Sequence, residues 1–234
     1  MDALTGLLGK YQKRLTTLEH LLEAGVGISK NGKQMPEREL DKTKAFVILS
    51  YAETEEFIES CSLCLINSIE GFSTRLKPEL RKGKPVVSSE FAGALKRCFG
   101  ALLTNDSRKK DLLDVCSMKP VADVKVVARA FAYASSCLNA KRNEVSKNNG
   151  LNKADMSKLF DKLGFDTEAN FIDLRNNLDI LTTKRSRFAH TGLGYSVSAV
   201  TEQPDPINER NFVRRLSADI SKFVAALDAL PKLN

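Results

Sequence analysis

Apolar residues recur every three or four positions along most of the chain, the period of an amphipathic helix. Leu4, Leu7, Leu8, Tyr11, Leu15, Leu18 and Leu22 fall on one face of a helix over residues 3 to about 24. Gly25 and Gly27 end it, and GISKNGKQMP follows as a polar loop. Pro36, a good first-turn residue, opens a second helix expected to reach about residue 72. Its face carries Val47, Tyr51, Thr54, Ile58, Cys61, Leu65 and Phe72, and its length leaves room for a break. Pro78 and RKGKP read as a connector. Ser88 caps a third helix through SSEFAGALKRCFGALL, and the short charged piece RKKDLLDVCSMKP follows it. Another helix spans residues 120 to about 145, apolar at Val124, Val127, Ala128, Phe131 and Ala134. Asn152 caps NKADMSKLFDKLG, which Gly164 closes with a left-handed residue. A helix over about 167–189 comes next, then the long loop TGLGYSVSAVTEQPDP. Asp205 and Pro206 begin the last helix, whose stripe is Phe212, Leu216, Ile220, Phe223, Val224 and Leu227.

No internal repeat, low-complexity tract or strand–helix alternation interrupts this pattern. The expected fold class is therefore all-α, a bundle of antiparallel helices. With 234 residues, the chain fits one large domain, or one domain with an appended helical piece. Hydrophobic residues make up 42% of it, enough to build a core. No run of about 18 uncharged apolar residues occurs, so no membrane span is expected. The N-terminal MDALTGLLGKYQKR does not read as a signal peptide.

The formal net charge of +7 favours an anionic partner such as nucleic acid or an acidic protein. Five cysteines, an odd number lying mostly in apolar helical runs, fit free thiols in a reducing cytosol. Cys61 and Cys64 form a C-x2-C pair, but no second pair completes a zinc site. No metal and no cofactor are expected.

The chemistry concentrates near the end of the helix over 167–189. Phe171, Leu174, Leu178 and Leu181 form a seam at spacings of 3, 4 and 3 that faces a partner helix. Continuing by 4 and then 3 gives Arg185 and Phe188. A guanidinium thus extends an apolar face, where an unpaired charge is costly. His190 follows two residues later, and Thr191 and Gly192 end the helix. It is one of two histidines. The other, His20, sits among Glu19 and Glu23 with no motif around it and reads as structural.

The stretch RSRFAHTG, residues 185–192, resembles the R-x4–6-H motif that defines the HEPN superfamily. The surroundings LDILTTKRSRFAHTG and FDKLGFDTEANF are similar to that superfamily's motif helix and its lead-in, as found in RiboL-PSP-like and related branches. AFVILSYAETEEFIE is similar to the acidic signature of its earlier helix. The resemblance covers residues 44–72 and 151 to the end. It implies a single HEPN-like domain over 1–234, with a motif-bearing core at about 40–75 and 150–230 and a helical insertion at about 88–146. It implies a metal-independent endoribonuclease with Arg185 and His190 as the catalytic pair. Glu55 would orient Arg185, or else be an ordinary solvated glutamate beside Glu56 and Glu59. Ser186 stands where the family often has Asn or Asp, and its hydroxyl still holds a hydrogen bond. Arg175-Asn176 is a decoy, because no histidine follows at the right distance.

That assignment suits RNA cleavage by the 2′-hydroxyl. Histidine titrates near neutrality and moves protons. A forked guanidinium stabilises phosphorane charge better than lysine. On one continuous helix, residues five apart diverge by about 140°. Arg185 and His190 therefore meet only if the helix ends between them, or if a second subunit supplies another pair. The resemblance implies the latter, a homodimer with two motifs across one cleft. The expected setting is cytoplasmic: toxin, antiphage defence or RNA processing, with RNA as substrate and a neutralising or regulatory protein as a further partner. Two alternatives remain. One is a non-catalytic HEPN module binding RNA, nucleotide or a protein; the other is a generic helical nucleic-acid-binding domain.

Overall fold

The computed structural model describes residues 3–22, 35–81, 124–163, 165–190 and 204–229, and among them the fold is all-α with no strand. The described residues contain seven α-helices: α1 (Ala3–Leu18), α2 (Glu37–Arg81), α3 (Val124–Ser146), α4 (Lys153–Phe160), α5 (Thr167–Asn170), α6 (Ile172–His190) and α7 (Pro206–Asp228). Short 3-10 turns continue α1 over Glu19–Leu21 and α4 over Asp161–Leu163. The helix expected from Ser88, the charged piece after it, Gly25, Gly27, Gly164 and the loop from Thr191 lie outside the described residues. None of the helices in the described residues is long and apolar enough to cross a membrane.

Local signals set several helix ends. Pro206 takes the first position of α7, and Asp205 Oδ1 accepts the Ile207 N–H at 2.9 Å, as an N-cap should. Asp166 caps α5 the same way through the Ala169 N–H, at 2.9 Å. Two expectations are corrected. The second helix does not stop near residue 72; α2 runs unbroken for 45 residues, through Pro78. A proline there forfeits one backbone hydrogen bond, and Arg81 ends the helix three residues later. The helix foreseen over 167–189 is two helices separated at Phe171. Asn170 Nδ2 donates to the Asp166 carbonyl at 2.7 Å, an instance of asparagine competing with the backbone ladder.

The chain divides into two compact units. The first comprises Met1–Ile58, Gly150–Lys153 and Phe171–Val224. Its buried residues include Leu4, Tyr11 and Leu15 of α1, and Phe46, Val47, Tyr51, Phe57 and Ile58 of α2. From α6 come Leu174, Leu178, Leu181 and Phe188, and from α7 Phe212, Leu216, Ile220, Phe223 and Val224. Fully burying each such side chain contributes about 1.5–3 kcal/mol. The Tyr11 ring stacks on Phe57 with centroids 4.6 Å apart, and its hydroxyl shares a buried 3.1 Å hydrogen bond with Thr54. Burial pushes that phenol above its ordinary range.

One polar face of α6 holds Gly150–Lys153. Asp179 Oδ1 accepts the Lys153 N–H at 2.8 Å, Thr182 Oγ1 donates to the Leu151 carbonyl at 2.9 Å, and Arg175 Nη2 donates to the Lys153 carbonyl at 3.4 Å. These residues stand at i, i+4 and i+7, one side of the helix.

The second unit comprises Glu59–Asn149, Ala154–Asn170 and Ala225–Asn234. Ile66, Leu138, Met156, Leu159 and Phe160 are fully buried within it. Ser62 Oγ donates to the Leu159 carbonyl at 3.0 Å, and Arg142 binds Asn67 at 2.8 Å and also Glu70. Buried Lys141 donates to the Lys158 carbonyl and pairs with Glu144 at 3.1 Å.

Candidate functional site

The backbone of α6 is helical from Ile172 through His190 without interruption. The helix therefore does not end between Arg185 and His190. At about 100° per residue the two positions leave it about 140° apart, and about 7.5 Å apart along the axis. The two positions therefore lie on different sides of α6. Of the two ways the pair was expected to meet, a helix end between them is ruled out.

Arg185 corrects a second expectation. It lies in line with the seam, only about 40° from Leu181 and flanked by it and by Phe188, both buried. Yet Arg185 itself is exposed. The guanidinium is carried on a long stem, which lets an arginine cover apolar surface and keep its head in water. What it covers is the ring of Tyr51 in α2: Arg185 Cζ sits 5.4 Å from the ring centroid, within cation–π range. Tyr51 is buried. Arg185 makes no hydrogen bond or ion pair with any other described residue. The buried arginine of α6 is instead Arg175. It lies at the edge of the stripe, where Lys153 crosses it. The position read as a decoy is structural.

Glu55 is distinguished from its neighbours by its contacts. Glu53 and Glu56 are engaged by Arg14 of α1, at 2.9 and 3.0 Å. Glu55 is half-buried and accepts a hydrogen bond from the Tyr51 hydroxyl at 3.3 Å. The order is thus Glu55, Tyr51, Arg185, with the aromatic ring between carboxylate and guanidinium. Glu55 was read either as orienting Arg185 or as an ordinary solvated glutamate; among the described residues, the side chain over which the guanidinium lies is Tyr51. In the sequence Tyr51 was legible only as a core position of α2. Ser186 is exposed on α6 next to Arg185. His190 is the last residue of that helix.

The neighbouring Lys184 is tied down. It pairs with Glu209 of α7 and lies 5.4 Å over the Phe212 ring. Glu209 is buried; its Oε1 accepts from Lys184, and its Oε2 has no hydrogen-bond partner among the described residues. This pair fixes the segment of α6 that carries Arg185 against α7.

A polar hollow of about 390 Å³ lies elsewhere on α6 and α7, lined by Asp173, Asn176, Asn177, Arg215, Asp219 and Lys222. Asp173 is twelve residues from Arg185, about 18 Å along the helix. Two carboxylates line the hollow, and Asp219 already accepts from Asn177 and Lys222 at 3.0 Å each. With Arg215 and Lys222 balanced by these carboxylates, the hollow has no net positive charge to draw a phosphate.

The C-x2-C pair has the chemistry of core thiols. Cys61 is buried and Cys64 half-buried, and both are free. Burial pushes both thiols upward, Cys61 further, with a small addition from Cys64. A raised thiol is a poor nucleophile and a poor metal ligand. No group of three His, Cys, Asp or Glu side chains placed to hold a metal occurs among the described residues. Cys98, Cys116 and Tyr195 lie outside them. No protein-family model, curated protein or solved structure matches this chain.

Proposed function

We propose that this chain is a metal-independent endoribonuclease of the HEPN type, acting as a homodimer through Arg185 and His190. One observation carries the reading: Arg185 is an exposed guanidinium with no carboxylate partner among the described residues, lying over an aromatic ring, on the same helix that ends in His190. Arg14, Arg142 and Arg214 are paired with carboxylates, and Arg185 differs from the exposed Arg38 and Arg215 in lying over an aromatic ring. An arginine held in place with its donors open is arranged for an external anion.

In the proposed reaction the RNA 2′-oxygen attacks the adjacent phosphorus. The P–O2′ bond forms and the P–O5′ bond breaks. His190 takes the 2′-hydroxyl proton and then, protonated, gives a proton to the leaving 5′-oxygen. Arg185 neutralises charge on the non-bridging oxygens. Ser186 would help hold the phosphate beside Arg185. Glu55 acts at one remove, through Tyr51.

The continuity of α6 is what favours a dimer in this reading. The two positions lie on different sides of one helix, so the working combination is Arg185 of one copy with His190 of the other. Two-fold pairing supplies two such combinations. The natural setting of such an enzyme is toxin, antiphage or RNA-processing activity in the cytoplasm, held in check by a partner protein.

The test is cleavage of total RNA in excess chelator. Wild type should cut and His190→Ala should not. Mixing Arg185→Ala with His190→Ala should regain activity, because the mixed dimer restores one cross-subunit pair. RNA binding without cleavage would favour the non-catalytic module. Cleavage lost on chelation and restored by magnesium would refute the mechanism.

A further inference from the structure

We infer that Tyr51 is the positioning residue for Arg185, and that Glu55 serves the site by holding the Tyr51 hydroxyl rather than by pairing with the arginine. The inference rests on the nuclease reading for what Arg185 does, but not for how Arg185 is held.

Three observations lead to it. The Arg185 guanidinium lies 5.4 Å over the Tyr51 ring. Arg185 has no hydrogen bond or ion pair with any other described residue, so the ring is its one fixed contact there. The Tyr51 hydroxyl donates to Glu55 Oε1 at 3.3 Å, one turn further along α2, which restrains the ring's tilt.

The arrangement has a chemical logic. A carboxylate paired directly with Arg185 would occupy its fork and cancel the charge that an incoming phosphate needs. A π face attracts the guanidinium by its quadrupole but takes none of its N–H donors in the ring plane. The contact therefore holds the guanidinium over the ring while leaving its N–H donors open to anion oxygens. The carboxylate is kept one ring away, where it orients the platform without competing for the cation. Lysine in place of Arg185 would lose both the planar stack and the fork.

The test is NMR of the arginine side chains in the full-length protein, with the Arg185 Nε–Hε signal assigned by its loss in Arg185→Lys. In wild type that proton should be shifted upfield by the ring current and should show cross-relaxation to Tyr51 ring protons. Tyr51→Phe should keep the shift; Tyr51→Leu should abolish it. Titration with inorganic phosphate should move the Arg185 signal in wild type, and more weakly in Tyr51→Leu. In RNA cleavage, Tyr51→Leu should lower kcat by about 3- to 30-fold, the span of one cation–π contact, with a smaller change in KM. Tyr51→Phe and Glu55→Ala should each cost less, and their double variant no more than either alone.

An Arg185 signal at the position of a solvent-exposed arginine, or one unmoved by Tyr51→Leu, would overturn the inference. If Tyr51→Leu fails to fold, the wild-type cross-relaxation decides: its absence overturns the proposal and its presence upholds it. A shifted, phosphate-responsive Arg185 in a protein that cuts no RNA would uphold the positioning role and remove the nuclease reading.

Discussion

Replacing Lys184 with methionine isolates the charge that keeps Glu209 buried. Methionine retains the stem over Phe212 and removes only the ammonium. The Lys184 side chain is 30% exposed and that of Glu209 only 5%, so the two partners respond unequally to loss of the other. Without Lys184 the carboxylate is stranded in a dry place, with Oε2 already unpartnered among the described residues. Breaking a buried pair this way costs about 3–5 kcal/mol. Because Lys184 keeps partial access to water, the cost falls at or somewhat below the bottom of that range, about 2–3 kcal/mol. For a chain of this size each kcal/mol moves Tm by roughly 2–4 °C. Lys184→Met should therefore melt about 4–12 °C below wild type in a calorimetric or circular-dichroism melt. Glu209→Gln should cost about 1 kcal/mol, since it remains an acceptor and Lys184 can turn to solvent. Lys184→Met combined with Glu209→Leu should recover most of the loss, because an apolar pair replaces the ion pair without stranding a charge. A Lys184→Met variant as stable as wild type, or a double variant no better than the single, would refute this account of how α6 is anchored.

Arg185→Lys should reduce RNA cleavage by about 10²–10³-fold despite conserving charge, because the fork and the stack on Tyr51 are both lost. Kinetics at saturating RNA check it. Cys61 should stay unlabelled by iodoacetamide near pH 8 in the native protein and label fully in denaturant, read by peptide mapping, since burial keeps its thiol protonated. Glu70 is held below the ordinary carboxylate range, first by the hydrogen bond from Arg142, against a smaller opposing effect of burial. Its contribution should be complete above the unfolded carboxylate pKa and vanish as pH falls through the folded value. The pair is partly exposed, so Glu70→Gln should cost only about 0.2–1 kcal/mol near neutrality, a difference that disappears in acid.

Periodicity made the helices legible. Leu174, Leu178, Leu181 and Phe188 are buried in α6 as their spacing requires, and so are Phe212, Leu216, Ile220, Phe223 and Val224 in α7. Boundaries were less readable where a side chain outweighed a propensity. Asn170 caps its own turn and splits one expected helix, and α2 passes through a proline that reads as a stop. The site was half-visible. Phase alone placed Arg185 on the apolar face, and it is indeed in line. Phase cannot say that a long stem lifts the charge into water, nor that the residue underneath is Tyr51. Nor does spacing separate Glu55 from Glu53 and Glu56; that took Arg14, forty residues away in the chain, claiming the other two. Arg175 was set aside for lacking a histidine, and its role became clear only when the segment it binds folded over it.

The most direct test of the proposed chemistry is the fate of one phosphodiester bond. A short RNA cut by the wild-type protein in excess chelator is compared with the same RNA bearing a single 2′-methoxy group at the cleaved position, and the product ends are read by mass spectrometry. The account predicts a 2′,3′-cyclic phosphate and a 5′-hydroxyl from the unmodified RNA and no cleavage at the blocked position. It also predicts that His190→Ala cuts the unmodified RNA about 10²–10⁴-fold more slowly. Cleavage at the 2′-methoxy position, or full activity in His190→Ala, would contradict it.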